Sequence, residues 1–231
     1  MYGRDLANIH RLAFGYHADA CAPGILALLQ PALERQGTVL ELGCGSGALT
    51  RHLRAAGHCV IATDASPAMV ELAGDARALV LPDDPLPPAD AVVSVGHVLN
   101  YLADEAAIDR ALAAIAGALR PGGMLAVDLL DLGYGDARRG ASPYARVEDD
   151  WVMVTRYEMP APARFVRHII TFVPAGDGSW RRGDERHENV LVDTAAIPAR
   201  LRAHGVEASV EASFGGETLP DGLVALIGRR G

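Results

Sequence analysis

The stretch "VLELGCGSGALTRHL" at residues 39–53 limits what this chain can fold into more than any other part of it. Residues 38–41 are β-prone and mostly apolar, and apolar residues recur at helical spacing from Ala48 onward, so the stretch predicts a strand, a tight turn and a helix. Glycine in the turn lets the backbone bend sharply and approach a ligand closely. The turn contains Gly43, Gly45 and Gly47. We therefore expect a ligand-binding strand-turn-helix unit within an α/β sheet.

Apolar runs alternate with helical patterns as far as residue 131. The predicted strands are 38–42, 59–63, 78–81, 91–95 and 124–129, and the predicted helices between them are 48–56, 67–73 and 104–119. Near-continuous apolar strands separated by helices are typical of a parallel sheet covered on both faces, and right-handed crossovers make it doubly wound. Ligands of such sheets bind outside the carboxyl ends of the strands, where Gly43, Asp64, Val80 and Gly96 fall.

Helical and antiparallel segments flank this alternation. Residues 5–36 have a helical pattern that ends at Gly37, which is typical of a helix C-terminus. After residue 131, three β-like runs have no long helix between them, so they should pair antiparallel. A helix over 194–204 and strands over 206–214 and 223–229 follow. We expect a single domain over 1–231, made of an N-terminal helical cap (1–36), a core (37–131), a flap insertion (132–192) and a C-terminal helix with a terminal hairpin (193–231).

Composition excludes several classes of function. A formal charge of −8 and an isoelectric point near 5.4 oppose a broad electrostatic grip on nucleic acid. No apolar run reaches the roughly 18 residues of a membrane span, and no leader pattern begins the chain, so we expect a cytoplasmic protein without a membrane partner. The cysteines and histidines lack metal-ligand spacing, so we expect no metal.

The edges of an added antiparallel sheet also allow the flap to serve as the surface of a homodimer.

The glycine turn satisfies two ligand-binding patterns. Gly43, Gly45 and Ala48 loosely match the G-x-G-x-x-A turn of dinucleotide-binding domains, which places a pyrophosphate at a helix N-terminus. Glu41 followed by Gly43, Gly45 and Gly47 gives instead an acid two residues before G-x-G-x-G, which resembles motif I of class I S-adenosylmethionine (SAM)-dependent methyltransferases. Asp64 at the end of the second strand suits both patterns, because a carboxylate there can accept hydrogen bonds from both ribose hydroxyls.

Three further stretches resemble the same family. "VVSVGHVLNYL" (92–102) is similar to its fourth strand and following loop, and "LRPGGMLAVDLLD" (119–131) resembles the proline-glycine-glycine turn before its fifth strand. "VEASVEASF" and "GLVALIGRR" are similar to its reversed terminal hairpin. The N-terminal segment and the flap resemble parts of bacterial small-molecule methyltransferases. The resemblance implies a doubly wound, Rossmann-like, mostly parallel seven-stranded sheet with a reversed last strand, plus an N-terminal helical cap and an antiparallel strand insertion after strand 5.

The resemblance also implies a cofactor and its contacts. SAM would be the methyl donor and S-adenosylhomocysteine the product, with a small molecule as the acceptor. The residues implied to bind the cofactor are Glu41, Gly43, Cys44, Gly45, Gly47, Asp64, Ala65, Met69, Leu81 and Gly96. This sequence lacks the acid that many relatives carry just after the third strand, where Val80 or Leu81 stands; backbone groups there and Asp83 are the candidate substitutes.

Methyl transfer from a sulfonium needs chiefly alignment and exclusion of water, which can contribute about 7–11 kcal/mol in ideal cases. A hydroxyl or ammonium acceptor would also need a base, for which His97 and His17 are the candidates because histidine exchanges protons near neutral pH. The candidate substrate contacts are Phe14, Tyr16, Asn100 and Tyr101. Two other functions stay open: a protein that binds SAM without transferring methyl, and an NAD-dependent oxidoreductase.

Overall fold

A computed structural model describes residues 2–231, in which eleven strands and seven α-helices form two sheets and their covering layers. The helices are α1 (Arg4–Ala13), α2 (Tyr16–Glu34), α3 (Ala48–Ala55), α4 (Pro67–Ala73), α5 (Glu105–Ala118), α6 (Gly133–Asp136) and α7 (Ile197–Arg202), with 3₁₀ turns at Val98–Tyr101 and Thr194–Ala196. The strands are β1 (Thr38–Leu42), β2 (Cys59–Asp64), β3 (Arg77–Ala78), β4 (Ala89–Ser94), β5 (Leu119–Leu130), β6 (Tyr144–Val147), β7 (Val152–Ala161), β8 (Arg164–Pro174), β9 (Trp180–Val190), β10 (Val206–Glu211) and β11 (Leu223–Arg230).

The larger sheet has seven strands in the order β10-β11-β5-β4-β1-β2-β3. β1 pairs in parallel with β2 and β4, and β4 pairs in parallel with β5. Only β11 runs against its neighbours, because it is antiparallel to both β5 and β10. The predicted fold, a mostly parallel doubly wound sheet with a reversed last strand, is confirmed.

Helices cover both faces of this sheet because successive residues of a strand point to opposite sides. Leu40 packs into a cluster with α5 and α7, whereas its neighbour Val39 packs into a second cluster with α2 and α3. Both faces of the central strands are thus buried, which explains why these strands have almost continuous apolar sequences. The polar ends of the strands are left to form a site at the sheet's edge.

The ends of several elements differ from the sequence-based prediction. The single N-terminal helix predicted over 5–36 is two helices, α1 and α2, separated by Phe14 and Gly15. The third strand, predicted over 78–81, is only Arg77–Ala78, because the chain turns away where the Val80 amide donates to the Asp84 carboxylate at 2.7 Å. Within residues 2–231, no single helix is long and apolar enough to cross a membrane; α1 and α2 meet that test only together, as a pair bent by 61°.

The flap forms the second sheet, with four antiparallel strands in the order β6-β7-β8-β9. The three predicted runs correspond to β7, β8 and β9, and β6 is an additional exposed strand that the pattern did not indicate. Helix α1 packs on this sheet through a small apolar cluster that contains Leu6, Ile9, Trp151, Met153 and Ile169. The N-terminal helix therefore lies between the flap and the core.

Candidate active site

A cavity of about 400 Å³ opens at the carboxyl ends of β1, β2 and β4, under α1 and α2. Most of the residues predicted to form the site lie on its wall: Phe14, His17, Glu41, Gly43, Cys44, Gly45, Asp64, Ala65, Met69, Leu81, Gly96 and Tyr101. Four predicted residues do not line it, namely Tyr16, Gly47, His97 and Asn100. Asp83, the candidate substitute acid, is exposed and also lies off the wall.

The glycine turn is shaped by two different requirements. Gly43 has a φ of +68°, and a Cβ there would lie 2.3 Å from Cγ2 of Val98, so close packing excludes any side chain. Gly45 has a φ of +56°, and no heavy atom lies within 4 Å of where its Cβ would be. Gly43 therefore fixes the turn against the next strand's loop, whereas Gly45 leaves room for a ligand against the backbone.

Asp64 ends β2 with its carboxylate held against the glycine turn. One oxygen accepts from the Gly45 amide at 2.9 Å and the other from the Ser66 amide at 2.7 Å. Burial raises the pKa of this carboxyl, and the backbone hydrogen bonds oppose that rise. Each carboxylate oxygen can accept more than one hydrogen bond, so both keep the capacity to accept from a pair of ligand hydroxyls.

Glu41 lies below the turn as a buried acid that is only 2% exposed. The Thr50 hydroxyl donates to it at 2.6 Å. Burial nevertheless raises its pKa to about 7, against that hydrogen bond. Beside it, burial raises the pKa of the Cys44 thiol well above its usual range, so Cys44 stays protonated and fills space within the turn.

Asp128, in β5, is a site residue that the sequence analysis missed. It is completely buried, and its oxygens accept from the Gly96 amide at 2.8 Å, the His97 amide at 2.6 Å and Nε2 of His17 at 2.9 Å. The signal was present in the sequence as an acid inside an apolar strand, since a buried carboxylate must find donors. Asp128 ties α2 to the loop after β4.

His17 is oriented on the cavity wall by Asp128. Because a carboxylate only accepts, Nε2 of His17 is the donor in this pair, and in the neutral form of the ring Nδ1 has the lone pair. The Cys21 thiol is the nearest partner of Nδ1, at 3.9 Å. A histidine oriented by a carboxylate through one ring nitrogen has the arrangement that a general base requires.

His97 has a different environment from the one expected. Nε2 of its ring lies 3.3 Å from Nη2 of Arg167, and because a guanidinium only donates, Nε2 must be the acceptor. Burial, and then the charge of Arg167, lower the pKa of His97 well below its usual value. The ring is therefore neutral and engaged with the flap, and it does not reach the cavity wall.

Two of the predicted substrate contacts lie away from the cavity. Asn100 is completely buried, and its amide group makes three hydrogen bonds with backbone, donating to Leu130 and Val190 and accepting from Leu130. Its polar atoms therefore join the loop after β4 to β5 and β9. Tyr16 is 67% exposed at the start of α2, with its ring tilted against Phe14.

A cluster of aromatic, histidine and arginine side chains lies between the cavity and the flap. Nη2 of Arg167 donates to the Tyr101 hydroxyl, and Nδ1 of His187 lies 3.3 Å from the same hydroxyl. Nε2 of His187 is 2.8 Å from the Glu185 carboxylate. The Tyr2 ring packs edge-on against His187. Tyr2 and His10 also line the cavity. No spacing in the sequence indicates that Tyr2 and His187 meet, because α1 and β9 come together only in the folded chain.

Burial sets the protonation of this cluster. It lowers the pKa of His10 to about 4, with a further contribution from the charge of Arg167, and it raises the pKa of Tyr2 well above its usual range. Both groups are therefore neutral near pH 7.

In the described part of the chain, no group of three or more His, Cys, Asp or Glu side chains is arranged to hold a metal ion.

The comparisons with known proteins agree with this fold. A family model described as "Methyltransferase domain" matches residues 14–176. The fold is similar to that of a SAM-dependent methyltransferase from Clostridium acetobutylicum, with a TM-score of 0.78 at 17% identity and 98% of each chain covered.

Two other solved structures have similar folds. DesVI from Streptomyces venezuelae has a TM-score of 0.78 at 20% identity, again with 98% of each chain covered. The sugar N-methyltransferase KedS8 from Streptoalloteichus has a TM-score of 0.74 at 21% identity, with 100% of this chain and 96% of that chain covered. No curated protein sequence matches the chain.

Proposed function

The chain belongs to the methyltransferase domain family, and we propose that it transfers a methyl group from SAM to a small-molecule acceptor. The observation that carries the proposal is the open space at Gly45 directly beside the Asp64 carboxylate, at the carboxyl ends of β1 and β2. A ligand can approach the Gly45 backbone closely here, and the Asp64 carboxylate can accept hydrogen bonds from the ligand's hydroxyls. The likeness in fold to a sugar N-methyltransferase supports a small acceptor.

The residues on the cavity wall fit SAM part by part. Gly43 and Gly45 would hold the methionyl side, with Glu41 beneath them, and Asp64 would accept from the ribose hydroxyls. The adenine would lie among apolar groups of the wall, which include Ala65, Met69 and Leu81. When bound, SAM supplies a methyl group on a sulfonium that is already activated by its positive charge.

His17 is our proposed proton acceptor for an ammonium or hydroxyl substrate, with Asp128 as the residue that positions it. His17 lies on the cavity wall, and the buried Asp128, which also accepts from the Gly96 amide, orients its ring through Nε2. His97 is instead assigned to positioning, because its Nε2 accepts from Arg167. His17→Gln should lower the turnover number by about 10²–10⁴-fold while the affinity for S-adenosylhomocysteine stays unchanged. Loss of both together would indicate a structural role.

Calorimetric titration with S-adenosylhomocysteine tests the cofactor assignment. Charge-assisted hydrogen bonds contribute about 1.5–3 kcal/mol each, so Asp64→Asn should weaken binding by about 10–100-fold. Asp83→Asn is the matched control, because Asp83 is exposed and lies off the cavity wall, and it should leave the affinity unchanged. Absence of binding to the wild-type protein would overturn the proposal.

Methyl transfer can be distinguished from SAM binding without transfer. The protein is incubated with methyl-labelled SAM and a panel of small amines and hydroxyl compounds. A labelled product is expected. Binding of SAM with neither S-adenosylhomocysteine nor a labelled product formed, or binding of NAD(H) in place of SAM, would favour one of the two alternative functions.

Two coarser expectations are also part of the proposal. Cys21, Cys44 and Cys59 are all free thiols, which supports a reducing cytoplasmic location.

Edge strand β6 carries Val147 at 72% exposure, which supports a homodimer formed through the flap. Sedimentation at micromolar concentration should give twice the monomer mass for the wild type; a monomer mass would contradict the dimer.

A further inference from the structure

Arg167 is a half-buried cation on β8 that has no acidic partner. Among residues 2–231, no carboxylate oxygen lies within the 4.0 Å of an ion pair from its nitrogens. Five other arginines of the flap sheet do pair with an acid: Arg146, Arg164, Arg181, Arg182 and Arg186. Removing a cation from water without a counter-ion costs free energy. An anion bound from outside the chain would offset that cost at Arg167.

Two donors at this place also lack acceptors. Nε of Arg167 and Nδ2 of Asn189 are both buried with no hydrogen-bond partner in the described chain. Asn189 Oδ1 lies 3.5 Å from Nη2 of Arg167, so the two side chains are neighbours. They lie on the same face of the flap, because β9 residue His187 pairs opposite Arg167 and Asn189 is two residues further along. What is missing here is a group rich in acceptor oxygens.

The surrounding groups cannot supply that negative charge. His10, His97 and Tyr2 are neutral for the reasons given above. Two acids contact neighbours of Arg167, and both are engaged with other donors. Glu185 accepts from Nε2 of His187 at 2.8 Å and from the Gly3 amide at 3.1 Å, and Asp128 accepts from the Gly96 and His97 amides and from His17. Within the described residues, no carboxylate thus lies at ion-pair distance from the Arg167 guanidinium.

The same place adjoins the acceptor side of the cavity. Tyr101, Tyr2 and His10 line the cavity, whereas Arg167 and Asn189 lie behind this wall, where the Tyr101 hydroxyl accepts from Arg167. We infer that the methyl acceptor carries an oxyanion, a carboxylate or a phosphate, and that Arg167 binds it together with Asn189 and Tyr101. The planar guanidinium suits both anions because its N–H groups match their paired oxygens. This inference rests on the proposed function, since it describes the substrate of the same cavity.

Anion binding can be measured without knowing the substrate. Inorganic phosphate and acetate, each at constant ionic strength set with sodium chloride, are titrated calorimetrically into protein saturated with S-adenosylhomocysteine. The wild type should bind at least one of them, and the tighter of the two identifies the class of anion. Arg167→Gln should weaken that binding at least 10-fold. Arg156→Gln is the matched control, because Arg156 is an exposed arginine on neighbouring β7, and it should bind as the wild type does.

Thermal unfolding gives a second readout that does not depend on calorimetric heats. Added phosphate or acetate should raise the melting temperature of the wild type and of Arg156→Gln, but not that of Arg167→Gln. Equal responses in all three proteins, or no response in any, would overturn the inference. Binding of S-adenosylhomocysteine is measured first in each protein, so its absence in the wild type refutes the proposed function, whereas its presence without anion binding refutes only the oxyanion site.

Discussion

Glu41→Gln removes a carboxyl group whose protonated form is favoured by the fold, and it should change how stability depends on pH. Burial raises the pKa of Glu41 from 4.5 to about 7, whereas in the unfolded chain the group has its ordinary value. The folded state thus binds this proton more tightly than the unfolded state does. The stability that the proton contributes is fully present below pH 4.5 and is lost as the pH rises through about 7.

The magnitude follows from the same shift. Each pH unit between the two pKa values corresponds to about 1.4 kcal/mol, so the wild type should lose about 3 kcal/mol from this group by pH 8. Glutamine keeps an oxygen that can accept from the Thr50 hydroxyl, but it has no proton to lose. The variant should therefore keep a nearly constant contribution from position 41 across this range.

Urea unfolding at pH 5, 6, 7 and 8, without added SAM, measures the effect. The difference in unfolding free energy between the variant and the wild type should grow in favour of the variant by about 2–3 kcal/mol from pH 5 to pH 8. Glu34→Gln is the control, because Glu34 is exposed at the end of α2, and its curve should run parallel to that of the wild type. Parallel curves for Glu41→Gln as well would refute the reasoning.

Three further predictions concern stability and are read by urea or thermal unfolding. Gly43→Ala should cost about 2 kcal/mol or more, because its Cβ would lie 2.3 Å from Val98 at a positive φ, and adding Val98→Ala should recover part of that loss; no recovery would assign the loss to φ alone. Asn100→Leu should cost about 3–5 kcal/mol by leaving buried backbone groups unpaired, and a variant as stable as the wild type would contradict the contacts described. Arg200→Ala should cost less than about 1 kcal/mol although it removes two ion pairs with α5, since these are exposed; a loss above 2 kcal/mol would show that the pairs act as a network.

The core could be predicted because its signals are local. The glycine turn, the acid at the end of β2 and the apolar strands each lie within a few neighbouring residues, and the topology of a doubly wound sheet brings their ends together. Gly43, Gly45 and Asp64 therefore fell on the cavity wall as expected. The break between α1 and α2 was missed because the apolar pattern continues through it.

The rest of the site depends on contacts between distant segments. Tyr2, His10, Arg167 and His187 come from α1, β8, β9 and the residues before them, and no sequence spacing records that they meet. Asn100 was a candidate substrate contact because Asn100 and Tyr101 resemble a pair found after the fourth strand in related enzymes, but the position of β9 gives its amide a backbone partner. The roles of these polar residues are decided by packing and not by the neighbouring sequence.

The three thiols of the chain differ in a way that is useful at the bench. Cys21 and Cys44 are buried, whereas Cys59 is exposed at the amino end of β2. A maleimide dye should therefore attach at one position of the native protein. At about 3.3 Å per residue, that position lies about 16 Å along the strand from Asp64, so a fluorophore there can report ligand binding without entering the cavity.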